Sequence, residues 1–447
     1  MKIGFERQRT NRMNGFKIIF RSLRYRNYRL FFAGQSISLI GTWIQRIAMP
    51  WLVYRLTDSV LLLGVVSFAG QIPTFLLTPF AGVISDKLNR HRILVVTQVL
   101  AMIQSLVLTF LFFSELIQIW HIILLSVFLG CVNAFDMPTR QSFLVEMIGK
   151  REDLGNAIAL NSSMVNSARL VGPSVAGIII AGSNEGICFL LNGLSYFFVI
   201  ISLVMMEIGT RKMKNEKINV LQGLKGGISY TFGFAPIRSI IMLLALISIM
   251  GMSYAVLMPV FAKQILQGDA HTFGFLMGAS GTGALIGAIY MAFRKSILGL
   301  DRIIPVSAAF FGFGLIMFSL SRNFFLSLII MLLTGFGMIM QLTSSNTILQ
   351  TIVDDDKRGR VMSFYTMAFV GTAPLGSLLA GWLASKLGAP NTLIIGGITC
   401  ILGAAIFISK LSNLQRIVRP IYIKLGIISE VASGIQAATE LTVPPER

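Results

Sequence analysis

Apolar residues fill this chain in stretches of roughly 20 or more, the length an α-helix needs to cross a bilayer, and short polar turns separate them. Taken by length and hydropathy, the stretches fall at roughly 29–54, 60–84, 93–113, 119–138, 156–181, 186–208, 236–262, 271–293, 303–320, 324–349, 361–385 and 391–410, about twelve spans. One connection is long: 209–235 carries Arg211, Lys212, Lys214, Lys217 and Lys225 and divides the spans into two six-helix halves, 29–208 and 236–410. A basic arm, 1–28, precedes the first half, and a tail, 411–447, follows the second. The tail mixes Ile423, Leu425, Ile427 and Ile428 with Arg416, Arg419 and Lys424, which predicts an amphipathic helix lying on an anionic inner leaflet. The halves repeat weakly in parallel, since a shift of about 205 residues puts Gly130 over Gly335 and Gly177 over Gly381. The pattern therefore predicts an all-α polytopic membrane protein of twelve transmembrane helices in two pseudo-symmetric six-helix halves.

Composition strengthens this reading. Of 447 residues, 54% are hydrophobic and 13% charged, about half the charged share of an ordinary soluble domain. The net charge of +19 would suit nucleic acid only if it formed one patch, and it does not. Lys87, Arg90 and Arg92, then Arg140, Lys150 and Arg151, the central linker, Arg294, Lys295 and Arg302, and Lys357, Arg358 and Arg360 occupy alternate turns, while the intervening turns carry little. By the positive-inside rule, the basic turns and both termini lie in the cytoplasm, with the spans in the inner (cytoplasmic) membrane. The N-terminal arm lacks a small-residue cleavage site and reads as a cytoplasmic extension rather than a signal peptide. Cys131, Cys188 and Cys400 all fall inside apolar stretches, and His91, His121 and His271 lie far apart, so neither disulfide nor metal spacing is present. Gly278, Gly281, Gly283 and Gly287 lie within a span and read as close helix packing, not as a nucleotide loop. The chain predicts no cofactor, no metal and no enzyme.

Four stretches carry a family resemblance. They are Leu39-Ile-Gly-Thr-Trp43-Ile-Gln-Arg46-Ile-Ala-Met-Pro50-Trp51; the turn Gly82-Val-Ile-Ser-Asp86-Lys87-Leu-Asn89-Arg90-His91-Arg92; Asn133-Ala-Phe-Asp136-Met-Pro138-Thr-Arg140-Gln141; and Asn166-Ser-Ala-Arg169-Leu-Val-Gly172-Pro173-Ser-Val-Ala-Gly177. The second resembles the loop 2–3 signature of the major facilitator superfamily, and the set resembles its enterobactin-exporter-like, or transmembrane secretion effector, branch. Gly82 and Asp86 lie one helical turn apart and Arg90 one turn further. The resemblance implies that Arg90 pairs with Asp136, at the cytoplasmic end of span 4, with Asp86 beside them, as a latch that closes one state of the transporter. Gly172, Pro173 and Gly177 resemble the helix 5 motif of antiporters, except that Ala176 replaces one glycine of a pair. A bend at Pro173 and close packing at Gly172 and Gly177 are expected. The fold so implied puts a substrate site mid-membrane between the halves, with Gln35, Gln45, Asn133, Tyr254 and Gln341 as contributors, and the resemblance implies protons as the coupling ion.

Two ionisable residues stand inside spans. Arg169, about 20 Å into span 5, costs several kcal/mol in lipid unless it faces water or a partner. Arg46 lies nearer an outer end, where snorkelling is feasible. No acid was expected near the centre of any span, so Arg46 and Arg169 point to a positive cavity suited to an anionic or hydroxyl-rich substrate. The reading is a monomeric secondary transporter that exports a small molecule, such as a siderophore or a drug-like compound, in exchange for protons. Two rivals stay open: a facilitator of lysophospholipid or another anionic amphiphile, and a signalling or assembly protein on the same fold. For Arg169, pairing with backbone carbonyls or Asn166 remains the structural alternative.

Overall fold

The computed structural model describes residues 21–207, 230–252, 254–294 and 296–428. Twelve long helices fill these segments: α1 (Arg26–Thr57), α2 (Val60–Lys87), α3 (Arg90–Phe113), α4 (Ile119–Glu146), α5 (Arg151–Gly182), α6 (Glu185–Val204), α7 (Ala235–Ile265), α8 (Ala270–Phe293), α9 (Leu300–Leu320), α10 (Phe324–Ile352), α11 (Lys357–Leu387) and α12 (Ala389–Lys424). The turns place side-chain acceptors where helices begin: Ser59, Asn89, Asn184 and Asn323 each accept a first-turn amide, and Asp269 accepts two. Each such cap satisfies amide groups that have no partner within the helix.

Eleven of these helices are long and apolar enough to cross a membrane on their own composition. The twelfth, α1, has the length, at 32 residues, but carries Gln35, Gln45 and Arg46. It packs between α5 and α6 and touches α7 in the other half, so protein rather than lipid surrounds much of its polar surface.

The halves are related by glycines in matching roles. α2 packs on α4 where Gly130 admits the Gly70 carbonyl, and α8 packs on α10 where Gly335 admits the Ser280 carbonyl. Between the halves, α5 crosses α8 at Gly177 and Gly274, and α11 crosses α2 at Gly381 and Gly64. A Cβ on Gly177 would lie 2.8 Å from the Ala270 carbonyl oxygen and 3.1 Å from Gly274 Cα. A Cβ on Gly381 would lie 2.9 Å from Gly64 Cα. Small residues are what allow two helices to approach this closely in lipid.

Four expectations change. α4 does not stop at Pro138 but continues to Glu146, because Phe143 and Leu144, with Met147 just beyond, bury an apolar face against α1, α3 and α6. α12 likewise runs unbroken to Lys424, with Leu414 and Val418 buried and Gln415 hydrogen-bonded to Asp301, so the segment from 411 begins as an extension of the last span. α5 is one continuous helix through Pro173. The irregular helices are instead α7, with π-helical segments at Ile247–Gly251 and Phe261–Ile265, and α11, with one at Met367–Gly371. Most of the linker expected at 209–235, and the tail beyond 428, lie outside the described residues.

Candidate functional site: a cavity between the halves

The side of the bundle where α1 begins is here termed the terminal face, and the side where it ends the far face. Contacts between the halves seal the far-face side. Asp58, at the end of α1, receives a 2.7 Å ion pair from Lys263, at the end of α7, whose ammonium also sits 5.3 Å from the Tyr54 ring centroid. About two helical turns deeper, Trp51 stacks on Phe273 of α8 with centroids 6.0 Å apart. The glycine crossings at Gly64 and Gly381, and at Gly177 and Gly274, lie on this same side. Deeper still, Gly371 of α11 receives the Phe75 ring of α2.

Toward the terminal face the character of the surface changes. Ser162, Ser163 and Ser167 on α5, Gln350 on α10, and Ser363 and Thr366 on α11 are exposed. Polar side chains inside membrane-length helices collect on surfaces that meet water or protein rather than lipid. These polar groups, exposed toward the terminal face and opposite the far-face contacts, are here termed the vestibule.

Directly beneath the far-face seal, α1 and α5 meet at Trp43. Gly172 on α5 has no side chain at the point where Trp43 Cβ approaches it. The Arg46 guanidinium lies 4.7 Å from the Trp43 ring centroid and that of Arg169 lies 5.9 Å from it. Arg46 is exposed and Arg169 half-buried. Arg169 also reaches across the divide, with Nη2 4.0 Å from Sδ of Met338 on α10. Neither guanidinium has a carboxylate partner among the described residues. At 1.5 Å per residue the pair sits roughly 16–20 Å in from the far-face helix ends, near mid-bilayer. Asn166 bonds back to the Ser162 carbonyl at 3.0 Å and does not hold Arg169.

The other residues expected at a substrate site fare differently. Gln45 is buried: its carbonyl accepts from Ser105 Oγ at 2.7 Å and Asn192 Nδ2 at 2.7 Å, while its amide donates to Gln104 at 3.1 Å. It ties α1 to α3 and α6. Tyr254 is buried inside the second half, its hydroxyl 3.0 Å from Ser280 Oγ and its ring edge-on to Phe311. Gln341 is buried with one bond along its own helix to Ser345, at 3.2 Å, and Gln35 is only 3% exposed. Asn133 is half-buried and has no hydrogen-bond partner among the described residues. Of the expected set, the structure brings together Arg46 and Arg169 and withdraws Gln35, Gln45, Tyr254 and Gln341 from water.

The Arg90–Asp136 latch is expected in the state whose outward side is open; here, with the far face closed, the two residues stand in separate clusters. Arg90 pairs with Glu146 at 2.8 Å, both partly exposed at the terminal face. Asp136, 2% exposed, accepts from Gln98 Nε2 at 2.7 Å and Thr97 Oγ1 at 3.1 Å and pairs with Arg140 one turn along α4. The cause is the extra length of α4. With the helix running on to Glu146, Asp136 stands roughly 15 Å inside it rather than at its end, and Glu146 takes the place opposite Arg90. The side chains of Gly82 and Asp86 lie outside the described residues.

Comparison with known proteins bears on this geometry. The chain matches the transmembrane secretion effector family of major facilitator transporters over residues 19–417. It belongs to that family. Among relatives, the Staphyloferrin A transporter of Staphylococcus aureus is 28% identical over 87% of this chain and 97% of its own length. The multidrug efflux pump Tap of Mycolicibacterium fortuitum is 24% identical over 85% and 95%. The macrolide efflux protein A of Streptococcus pyogenes is 22% identical over 88% and 99%. Among solved structures, the nucleoside transporter NupG superposes with a TM-score of 0.69 at 12% identity, covering 87% of this chain and 99% of that one. A bacterial homologue of the iron transporter ferroportin in its inward-facing state superposes at 0.67 and 17%, covering 87% and 99%. These show a major facilitator fold, and the chain is a multi-pass membrane transporter rather than an enzyme.

Several residues of this transmembrane secretion effector were not singled out from sequence. Trp43 had a signal, because it stands three residues before Arg46 and therefore on the same side of the helix. Glu146 also had one, since Phe143, Leu144, Met147 and Ile148 keep helical spacing past Pro138. Met338 had none, because its role depends on how α10 meets α5. A groove of about 330 Å³, bordered by Ser174, Phe275, Gly278 and Ile329 among others, lies between α5, α8 and α10.

Proposed function

We propose that this protein exports a small molecule across the cytoplasmic membrane by alternating access, with both termini in the cytoplasm and protons as the exchanged ion. The observation that carries the reading is the asymmetry of contact between the halves. They touch through glycines, Trp51–Phe273 and Asp58–Lys263 on the far-face side, while polar residues of α5, α10 and α11 stand exposed toward the terminal face. With the basic turns in the cytoplasm, this is the state that collects substrate from inside. Breaking the far-face contacts and forming new ones on the terminal side would release it outward.

Asp136 is the group we assign to proton exchange. It is buried in α4 and neutralised by Arg140, so a rearrangement that draws Arg140 away would leave a carboxylate that must take up a proton or a new partner. The siderophore, multidrug and macrolide transporters among the relatives support export of a small molecule. Inverted membrane vesicles carrying the full chain test the reading with a panel of anionic, neutral and cationic compounds. Accumulation driven by an imposed pH gradient, lost in Asp136→Asn while exchange of labelled for unlabelled compound persists, is the expected result. Accumulation of no compound under any gradient would sink it.

A further inference from the structure

Two arginines beside one indole, inside a membrane protein and with no carboxylate partner among the described residues, leave charge uncompensated between the halves. Each contact with the ring offsets part of the cost, by roughly 0.5–2 kcal/mol, but adds a second positive charge beside the first. A structural arginine pair would be expected to hold an acid. Among the described residues, the acceptor that meets the Arg169 guanidinium is the Met338 sulfur, a weak one. Arg46 is exposed and Arg169 half-buried, and Gly172 leaves room for Trp43 to pack against α5.

We propose that Trp43, Arg46 and Arg169 form the binding site for an aromatic carboxylate or related planar oxyanion. The anion is held between the two guanidiniums, and its flat body lies along the Trp43 side of the cavity. Guanidinium groups suit this role because they offer paired donors to a carboxylate and a flat face to a ring. The site also reports on the opposite half. An anion that draws Arg169 from Met338 removes one of its contacts with α10, so occupancy and the relation between the halves are coupled through one side chain. The inference rests on the transporter reading for its location between the halves, but its test does not require transport.

Calorimetric titration of the purified full chain with four matched probes separates charge from shape. The probes are 1-naphthoate, the neutral 1-naphthalenemethanol, the cation 1-naphthylmethylammonium, and cyclohexanecarboxylate, which keeps the charge and lacks the aromatic ring. The expected result is that 1-naphthoate binds about tenfold more tightly than either uncharged or cationic probe, a difference one charge-assisted contact supplies. Arg46→Gln and Arg169→Gln should each abolish that preference while leaving the neutral probe unchanged. Trp43→Leu should weaken 1-naphthoate more than cyclohexanecarboxylate, and Trp43→Phe should largely restore it. Equal affinity for anion and cation, or equal weakening of every probe in the arginine variants, overturns the proposal. If an arginine variant does not yield monodisperse protein, the order of the four probes on the unaltered chain decides alone. Anion-selective binding without movement of any compound in vesicles would defeat the export reading and leave this site standing. Vesicles that move cations while 1-naphthoate shows no preference would do the reverse.

Discussion

The two halves share a fold but solve its problems with different chemistry. In the first half, polar groups staple helix to helix. Gln45 joins α1 to α3 and α6, Asp136 joins α4 to α3, Arg55 makes a bidentate pair with Glu185 at 2.8 and 2.9 Å, and Asp153 of α5 accepts from Tyr25 at 2.7 Å. In the second half, Asp269 pairs with His271 and Asp354 with Lys357, both within a turn of the chain, and the core is aliphatic and aromatic. That half carries the π-helical segments, and two of them meet where Ser248 of α7 donates to the Phe369 carbonyl of α11 at 2.6 Å. A π segment leaves part of the helix ladder re-registered and is frequent at functional sites. The difference teaches that one half is built to hold charged groups in fixed places, and the other to let helices change pitch around them.

The largest effect is expected where the halves touch without side chains. Gly177→Leu places a bulky group against the Ala270 carbonyl and Gly274, at a contact between the halves on the closed far-face side. Transport should fall by about fivefold or more, because about 1–3 kcal/mol of overpacking in this state shifts a two-state equilibrium at least that far. Labelling of cysteines introduced near Trp51 should rise from the far-face side. Gly335→Leu is the control within one half: α8 and α10 stay packed in both states, so it should lower yield and thermal stability instead. If the two variants behave alike, the distinction between a moving and a fixed glycine contact fails.

The next effect tests the first half's staples. Gln45→Leu removes the acceptor of both Ser105 and Asn192 and should cost about 1–2 kcal/mol, read as a lower unfolding temperature in detergent. Affinity for an anionic probe should be unchanged, since Gln45 is buried away from the vestibule. Weakened binding without loss of stability would return Gln45 to the substrate site.

How much of this was legible beforehand follows the same division. Span number, the two halves and the matched glycines could be read from hydropathy and spacing, because apolar length in a bilayer leaves the backbone little choice but helix. Arg46 and Arg169 were legible for the same reason, as charges where charge is costly. Gln45, Tyr254 and Gln341 misled because a polar residue in a span serves either water or a neighbouring helix. Only the tertiary partner, such as Asn192 or Ser280, tells which. The Glu146 partner of Arg90 was hidden by one element boundary: ending α4 at Pro138 left out the extension that carries it. The π segments had no local signature beyond a closing glycine, Gly251 or Gly371, since their register is set by packing across the bundle.

A smaller effect is expected at the terminal face. Arg90→Glu should lower transport modestly by setting two acids together at Glu146, and exchanging the pair as Arg90→Glu with Glu146→Arg should recover part of the loss. Both residues make further interactions, so recovery is expected to be incomplete. A half-exposed pair contributes about 1 kcal/mol or less, and the coupling measured by the double-mutant cycle should be of that size. No coupling between Arg90 and Glu146, with strong coupling between Arg90 and Asp136, would show that the two clusters exchange partners during transport.

The smallest effect concerns the meeting of the π segments. Ser248→Ala deletes the hydroxyl that tethers α7 to the Phe369 carbonyl and leaves the apolar packing around it intact. Hydrogen bonds between membrane helices average about 0.6 kcal/mol, so the unfolding temperature should barely move. The rate is a different matter. If α7 and α11 must change pitch together, removing their tether uncouples them, and turnover at saturating substrate should change by about twofold while binding of the anionic probe stays constant. A turnover change in either direction supports concerted movement, since the tether can stabilise the resting state or the path out of it. Unaltered turnover in Ser248→Ala, measured in the same vesicles where Gly177→Leu is impaired, would mean that the pitch of these two helices is fixed, and the second half would then be as rigid as the first.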